Sequence, residues 1–229
     1  MAMQLEQVVP FGRSLDEYVR MFDLTEADLS QSILSVADGP ASFNAEGTQQ
    51  GYQIKSIDSL YGFSAAQIRD RFNAVVDSII QQVEQTPEDW VWTYHGSPSE
   101  LHQNRETVMT RFCEDYEEGK AQGRYEVGEL PKLKYPDGTY DLGLSSHFLF
   151  LYSDHFDRQF HVDAIREMLR VCSEVRIFPL LTLMLQTSPH LPPVLEALEN
   201  EGFEWAIHTV DYELQRGGNK MLKITRPSV

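Results

Sequence analysis

A short turn followed by an acidic residue carries the clearest chemical signal in this sequence. Residues 33–36 form a short, mainly aliphatic run, and the turn 37–41 (Ala-Asp-Gly-Pro-Ala) follows it. Small turn residues let the backbone approach a ligand closely. Asp58 closes the next apolar run, about 20 residues on, where a carboxylate can accept hydrogen bonds from a ribose diol. The spacing predicts a nucleotide-binding strand–helix–strand unit. An ordinary strand–turn–helix is the alternative, because one glycine is a weak signature.

The elements that would position this turn alternate between strands and helices. Amphipathic spacing and capping residues predict helices over 14–29, 42–50, 64–85, 98 to about 119–123, 156–172 and 191–200. Apolar runs predict strands over 33–37, 52–58, 124–130, 140–147 and 174–179, then a hairpin over 203–212 and 219–226. No helix is visible between the third and fourth strands. The alternation predicts an α/β fold with a doubly wound, seven-stranded sheet, mostly parallel, an antiparallel C-terminal hairpin and helices on both faces.

The 229 residues are predicted to form a single domain, 1–229. Residues 1–32 form an N-terminal helical cover, which either borders the ligand site or simply packs on the sheet. Residues 86–123 exceed what a plain crossover needs and are interpreted as a helical insertion within the domain. This insertion is either a lid over a pocket or added packing surface.

The composition limits the kinds of partner and the kinds of metal or disulfide site that we expect. The formal net charge is −16, which argues against a broad nucleic-acid or anionic-membrane surface, since either needs a basic face. Cys113 and Cys172 are the only cysteines, too few for a disulfide framework or a CxxC site. No run approaches the roughly 20 apolar residues of a membrane span, and no signal peptide is visible, so we expect a cytoplasmic protein. His161 and Asp163 have no visible partner for a metal site, and none is predicted.

Three segments strengthen the nucleotide interpretation through a family resemblance. Residues 34–41 are similar to a first motif of the form LDVGCGPG, and Gly128-Glu129-Leu130 with 136–142 matches GDA…PFPDGSFDLV without gaps. Residues 164–171 look like the helix LREMLRV. From Ile33 to Arg226 the chain resembles the class I S-adenosylmethionine-dependent methyltransferases, which have a Rossmann-like sheet, and especially their methyltransferase-type-11-like subgroup.

The resemblance implies S-adenosylmethionine as the cofactor and S-adenosylhomocysteine as its product. It assigns the cofactor site to thirteen positions: Ala37, Asp38, Gly39, Pro40, Ala41, Phe43, Asp58, Ser59, Leu60, Glu129, Leu130, Ser145 and Ser146. Four positions depart from the pattern, because Ser35 replaces an acid, Ala37 and Ala41 replace glycines, and Asp38 adds a negative charge to the turn. The Asn/Asp-Pro-Pro-Tyr motif of enzymes that methylate nucleic-acid amino groups is missing.

Methyl transfer from a sulfonium mainly requires that the acceptor and the methyl carbon are aligned and that water is excluded. The sequence therefore marks few residues as catalytic. His147, at the end of the fourth predicted strand, is the candidate base. Its alternative role is a histidine that packs under the cofactor. The substrate-pocket candidates are Trp92, Tyr94, His147 and Tyr152, although aromatic core and a solvated loop also explain these residues.

Two functional hypotheses follow. The first is a methyltransferase acting on a small-molecule acceptor. The second is a catalytically inactive, methyltransferase-like binding or partner protein. A dinucleotide-dependent oxidoreductase fits poorly, because the G-x-G-x-x-G spacing is absent. The sequence carries no indication of the oligomeric state.

Overall fold

A computed structural model describes residues 8–226 of the chain and contains one seven-stranded sheet in the order β3-β2-β1-β4-β5-β7-β6. β7 runs antiparallel to both of its neighbours, and the remaining strands are parallel to one another. The strands are β1 (Ser32–Val36), β2 (Gln53–Ile57), β3 (Tyr125–Glu126), β4 (Tyr140–Ser146), β5 (Cys172–Phe178), β6 (Glu204–Thr209) and β7 (Lys220–Thr225). The predicted fold class is confirmed.

Helices cover both faces of the sheet. They are α1 (Leu15–Phe22), α2 (Glu26–Leu29), α3 (Phe43–Gln49), α4 (Ala65–Asn73), α5 (Val76–Gln85), α6 (Pro98–Ala121), α7 (Arg158–Val171) and α8 (Leu191–Asn200). Local sequence explains several helix starts. Ser14 and Glu17 form a capping box at α1, and α6 begins with a Ser97 cap followed by Pro98.

Two apolar cores lie on opposite faces of the sheet. The first core lies under α1, α3, α4, α5 and α6, and the second lies under α7 and α8. Neighbouring residues of β1 serve different cores, since Ile33 belongs to the first and Leu34 to the second. This follows from the two-residue period of a strand.

Three elements are divided or shorter than the sequence predicts. The helix expected over 14–29 is divided into α1 and α2, because α1 ends at Asp23, which has φ 49°, and Thr25 caps a new helix. The helix expected over 64–85 is divided into α4 and α5 at Ala74 and Val75, although its apolar stripe continues across the break. The third strand, expected over 124–130, has two residues. The chain then leaves the sheet at the exposed Val127 and reaches β4 without a helix.

The segment 86–123 consists of a turn and the long helix α6. α6 packs against α3, α4, α5 and β3, and it leads directly into β3, so it forms the crossover between β2 and β3. Its buried residues include Val108, Phe112 and Tyr116. The role of a lid stays a prediction. Within the predicted N-terminal cover 1–32, α1 packs on α3 and β5. Residues 1–7 of this cover lie outside the described range.

No helix within residues 8–226 combines the length and the hydropathy that a membrane span requires.

Candidate functional site

A cavity of about 420 Å³ opens at the carboxyl ends of β1, β2 and β4. Open α/β sheets bind ligands at this edge, where the strand order reverses. Its wall contains the turn 37–39 after β1, residues 58–60 after β2, and Ser146 with His147 at the end of β4. The segment 8–13, which we call the N-terminal strap, completes one side, and five of its six residues line the cavity, all except Gly12.

Asp58 joins the first two strands at the cavity. Its Oδ2 accepts the Gly39 N–H at 2.9 Å, and its Oδ1 accepts the Leu60 N–H at 2.7 Å. Burial raises the pKa of this carboxyl, while the two backbone donors act in the opposite direction. A carboxylate offers about four lone-pair positions, so Asp58 retains acceptor capacity toward the cavity.

Asp38 lies beside Asp58 in a chain of hydrogen bonds that includes the Ser56 and Tyr61 hydroxyls and the Gly39 carbonyl. Ser56 Oγ donates to Asp38 Oδ2 at 2.8 Å, and Tyr61 Oη lies 2.8 Å from Oδ1. Tyr61 Oη also lies 2.7 Å from the Gly39 carbonyl oxygen, and its single proton serves only one of these acceptors. Burial and the neighbouring Asp58 raise the pKa of Asp38 to about 8. If Asp38 is protonated and donates to Tyr61, which in turn donates to Gly39, both short contacts of Tyr61 Oη are hydrogen bonds.

The turn after β1 has backbone angles that favour glycine. Ala37 has φ 55° and Gly39 has φ 56°. The Ala37 N–H donates to the Ile57 carbonyl at 2.8 Å, which holds the turn against β2. A non-glycine residue in the left-handed region costs roughly 1–2 kcal/mol. Ala37, which stands where the family motif has a glycine, therefore has a strained backbone, and this residue lines the cavity.

His147 also adopts a left-handed conformation, with φ 51°. Its N–H donates to the Phe178 carbonyl at 2.6 Å, and its Nδ1 lies 2.9 Å from Ser146 Oγ. Burial and the cations Arg13 and Arg105 hold the pKa of His147 well below its ordinary value. The imidazole is therefore neutral near pH 7, and it is a weak base.

The N-terminal strap is attached to the rest of the site at three points. Arg105 Nη1 donates to the Gly12 carbonyl at 3.0 Å, and the Ser42 N–H donates to the Arg13 carbonyl at 3.0 Å. The Val9 N–H donates to Tyr152 Oη at 3.3 Å. These bonds hold the strap across the cavity.

The structure brings together nine of the residues predicted for the site. The cavity wall contains Ala37, Asp38, Gly39, Asp58, Ser59, Leu60, Ser146, His147 and Tyr152. Glu129 and Leu130 instead line a second cavity of about 440 Å³, which reaches β2 at Ile57. The other predicted residues do not line the first cavity: Pro40, Ala41, Phe43, Ser145, Trp92 and Tyr94. Ala41 and Phe43 are buried in the first core, so the Ala41 methyl does not narrow the cavity.

Sequence reasoning missed several parts of the wall, among them Arg13, one face of α5, and Leu214 with Gln215. Arg13 lies between a glycine and a helix cap, and no pattern in the sequence marks it. Ile79 and Val83 were assigned only to the apolar stripe of a helix, and a stripe alone does not distinguish core from cavity wall. Trp90 and Leu101 are the parts of the predicted insertion that reach the cavity.

Within residues 8–226, no cluster of three or more His, Cys, Asp or Glu side chains is arranged to hold a metal ion.

No family model matches the chain. The uncharacterized protein MJ0045 of Methanocaldococcus jannaschii is 35% identical over 225 residues, which cover 98% of this chain and 99% of the relative.

Solved structures resemble the chain at low sequence identity. The mitomycin 7-O-methyltransferase MmcR superposes with a TM-score of 0.50 at 14% identity, covering 93% of this chain and 54% of MmcR. The magnesium protoporphyrin IX methyltransferase ChlM of Synechocystis PCC 6803, with bound SAM, has a TM-score of 0.48 at 13% identity and covers 93% and 78%. The chain belongs to the family of MJ0045, and it has the fold of the class I S-adenosylmethionine-dependent methyltransferases.

Proposed function

We propose that this protein is an S-adenosylmethionine-dependent methyltransferase that acts on a small-molecule acceptor. The observation that carries the proposal is Asp58. Its carboxylate lies in the cavity wall at the end of β2, and the backbone N–H of Gly39 holds it beside the turn after β1. This is the arrangement that a ribose and an adjoining polar chain require.

The residues present fit this cofactor. Asp58 would accept the ribose hydroxyls, and the turn 37–39 would approach the methionine part. Glu129 and Leu130 are proposed as adenine contacts, because their cavity begins at Ile57, directly before Asp58. The protonated Asp38 would donate within the protein, so it would not place a second negative charge beside Asp58.

The cavity suits a reaction in which the acceptor displaces the methyl group from the sulfonium and from which water is excluded. S-adenosylmethionine supplies a methyl group on a sulfonium, which is already a good leaving group. The chain has to align the acceptor and exclude water, and apolar residues such as Ile79, Val83 and Leu214 line the wall. His147 is a proposed proton acceptor in its neutral form.

Calorimetric titration with S-adenosylmethionine and S-adenosylhomocysteine tests the proposal. We expect micromolar binding by the wild-type protein. Asp58→Asn should weaken binding by at least about tenfold, because a hydrogen bond to a charged group contributes about 1.5–3 kcal/mol. The matched control is Asp70→Asn on the exposed surface of α4, which should bind like the wild-type protein.

Circular dichroism establishes that each variant is folded. A folded wild-type protein that binds neither compound would overturn the proposal. Binding that Asp58→Asn leaves unchanged would remove its central observation.

A binding protein without turnover is the second candidate. The strained Ala37, whose methyl lies where the turn would approach a cofactor, favours it. Ala37→Gly separates the two candidates. If Ala37 disables an ancestral enzyme, the glycine variant gains methyl transfer on an acceptor panel that the wild-type protein leaves unmethylated.

A further inference from the structure

We propose that the acceptor is an apolar carboxylic acid whose carboxylate pairs with Arg13 inside the cavity. The proposal rests on the proposed function and names the substrate class of the same site.

Arg13 is a half-buried cation that has no acidic partner in the part of the chain that the structure describes. Its Nε is buried and has no hydrogen-bond partner, while its Nη1 donates to the Phe11 carbonyl. Within residues 8–226, no carboxylate lies within ion-pair distance of it. The nearby Glu17 is already occupied, since Arg105 binds both of its oxygens at 2.6 and 2.8 Å. A buried charge is costly unless it is paired, so the cavity presents an unsatisfied cation to a ligand.

The Arg13 charge acts on the acceptor side of the cavity. It contributes to the lowered pKa of His147, and it opposes the burial that raises the pKa of Tyr152. Burial and the cation Arg105 lower the pKa of Arg13 itself to about 10, so it is charged at pH 7. Arg13 therefore acts electrostatically on the candidate base and on Tyr152, and all three residues line the same cavity.

The surrounding wall is apolar. One face of α5 and its N-terminal flank contributes Val75, Ile79 and Val83, at the four-residue spacing of a helix face. Trp90, Leu101 and Leu214 are also buried and complete this wall. A ligand that fills it must be largely apolar.

One further cation lines the cavity. The exposed Arg71 lies with its guanidinium carbon 3.9 Å from the centroid of the Phe63 ring. A half-buried guanidinium with a buried, unpaired Nε in a largely apolar cavity matches a single carboxylate, which accepts from adjacent N–H groups. A phosphate carries more charge and more acceptors than one partly engaged guanidinium can satisfy.

The test compares decanoate with 1-decanol as uncharged probe, by calorimetry and tryptophan fluorescence. The wild-type protein should bind decanoate at least tenfold more tightly than decanol. Arg13→Met, which keeps the length and loses the charge, should abolish that preference and leave decanol binding within twofold. Arg13→Lys should keep part of the preference. The control Arg158→Met, at the exposed start of α7 and outside the cavity, should keep all of it.

The donor is measured separately, because its amino-acid part also carries a carboxylate. Each variant is titrated with S-adenosylhomocysteine, which Arg13→Met should bind like the wild-type protein. Loss of that binding with unchanged decanoate binding would assign Arg13 to the donor and overturn the proposal. Equal affinity of the wild-type protein for decanoate and decanol would also overturn it. An Arg13-dependent preference for decanoate without any donor binding would support the carboxylate site and refute the methyltransferase.

Discussion

Asp38 is an acid that the surrounding residues keep neutral. Tyr61 has one proton and two neighbouring acceptors, so an ionised Asp38 would leave one of the two short contacts of Tyr61 unsatisfied. Burial in this chain raises its pKa to about 8. A proton is therefore bound in the folded state over a pH range in which the unfolded chain has released it.

Stability should accordingly fall as pH rises between about 4 and 8. The folded state binds more protons than the unfolded state in this window, so Asp38 lowers the free energy of unfolding by up to about 1.4 kcal/mol per pH unit. Asp38→Asn mimics the protonated acid and donates permanently. Urea unfolding at several pH values should show the variant more stable than the wild-type protein at pH 9 and similar to it at pH 5.

The exposed variant Asp154→Asn serves as the control and should follow the wild-type pH profile. Parallel wild-type and Asp38→Asn profiles would show that Asp38 is ionised in the folded protein.

At the scale of elements, the N-terminal strap depends on a close backbone approach. A Cβ on Gly12 would lie 2.1 Å from the Pro40 carbonyl oxygen and 2.7 Å from the Ala41 nitrogen. Both are backbone atoms, which cannot rotate away. Gly12 therefore sets the distance between the strap and the turn after β1.

Gly12→Ala should destabilise the protein and displace the strap. Forcing extra volume into a packed site costs typically 1–3 kcal/mol, and thermal unfolding measures the loss. Gly62→Ala is the matched control, because its added methyl meets nothing within 4 Å. A Gly12→Ala protein as stable as the control variant would show that the strap moves freely.

Elements differ in how well the sequence predicts them. The capping box of α1 and the strands β1 and β4 follow from local patterns. The break between α4 and α5 does not, because the apolar stripe from Phe72 to Val76 keeps helical spacing across it. β3 ends early because the chain leaves the sheet edge, and apolar content alone cannot show where edge pairing stops.

At the scale of the molecule, a buried ion pair joins distant parts of the chain. Glu17 on α1 is bound by Arg105 on α6 and accepts from Tyr212 Oη at 3.0 Å. Tyr212 Oη also lies 3.1 Å from His95 Nε2. The network links the N-terminal part, the crossover helix and the loop between β6 and β7.

Arg105→Met should cost about 3–5 kcal/mol of unfolding free energy, because it leaves a buried, uncompensated carboxylate. Arg111→Met, on the same helix, breaks an exposed pair with Glu46 and should cost about 1 kcal/mol or less. Urea unfolding compares the two variants. The double variant Glu17→Gln/Arg105→Met should recover part of the loss, and a further additive loss would contradict this account.

The site was predictable where it follows the strand ends and unpredictable where it depends on tertiary packing. The turn residues 37–39, Asp58 and His147 follow strand ends in the sequence, and all of them line the cavity. Arg13 belongs to the site through tertiary contacts, since Arg105 donates to the Gly12 carbonyl and the Ser42 N–H donates to the Arg13 carbonyl. Trp92 and Tyr94 are aromatic as a pocket requires, yet neither lines the cavity.

The cavity wall extends from Val8 to Gln215. On the ribosome, the residues of the strap emerge before the rest of the wall, and Leu214 and Gln215 emerge after all other wall residues. A nascent chain therefore has no complete binding site until Gln215 has emerged. A ligand of this cavity can stabilise only a chain that contains both ends of the wall, and ligand-dependent protection from proteolysis would distinguish such chains from fragments stalled before Leu214.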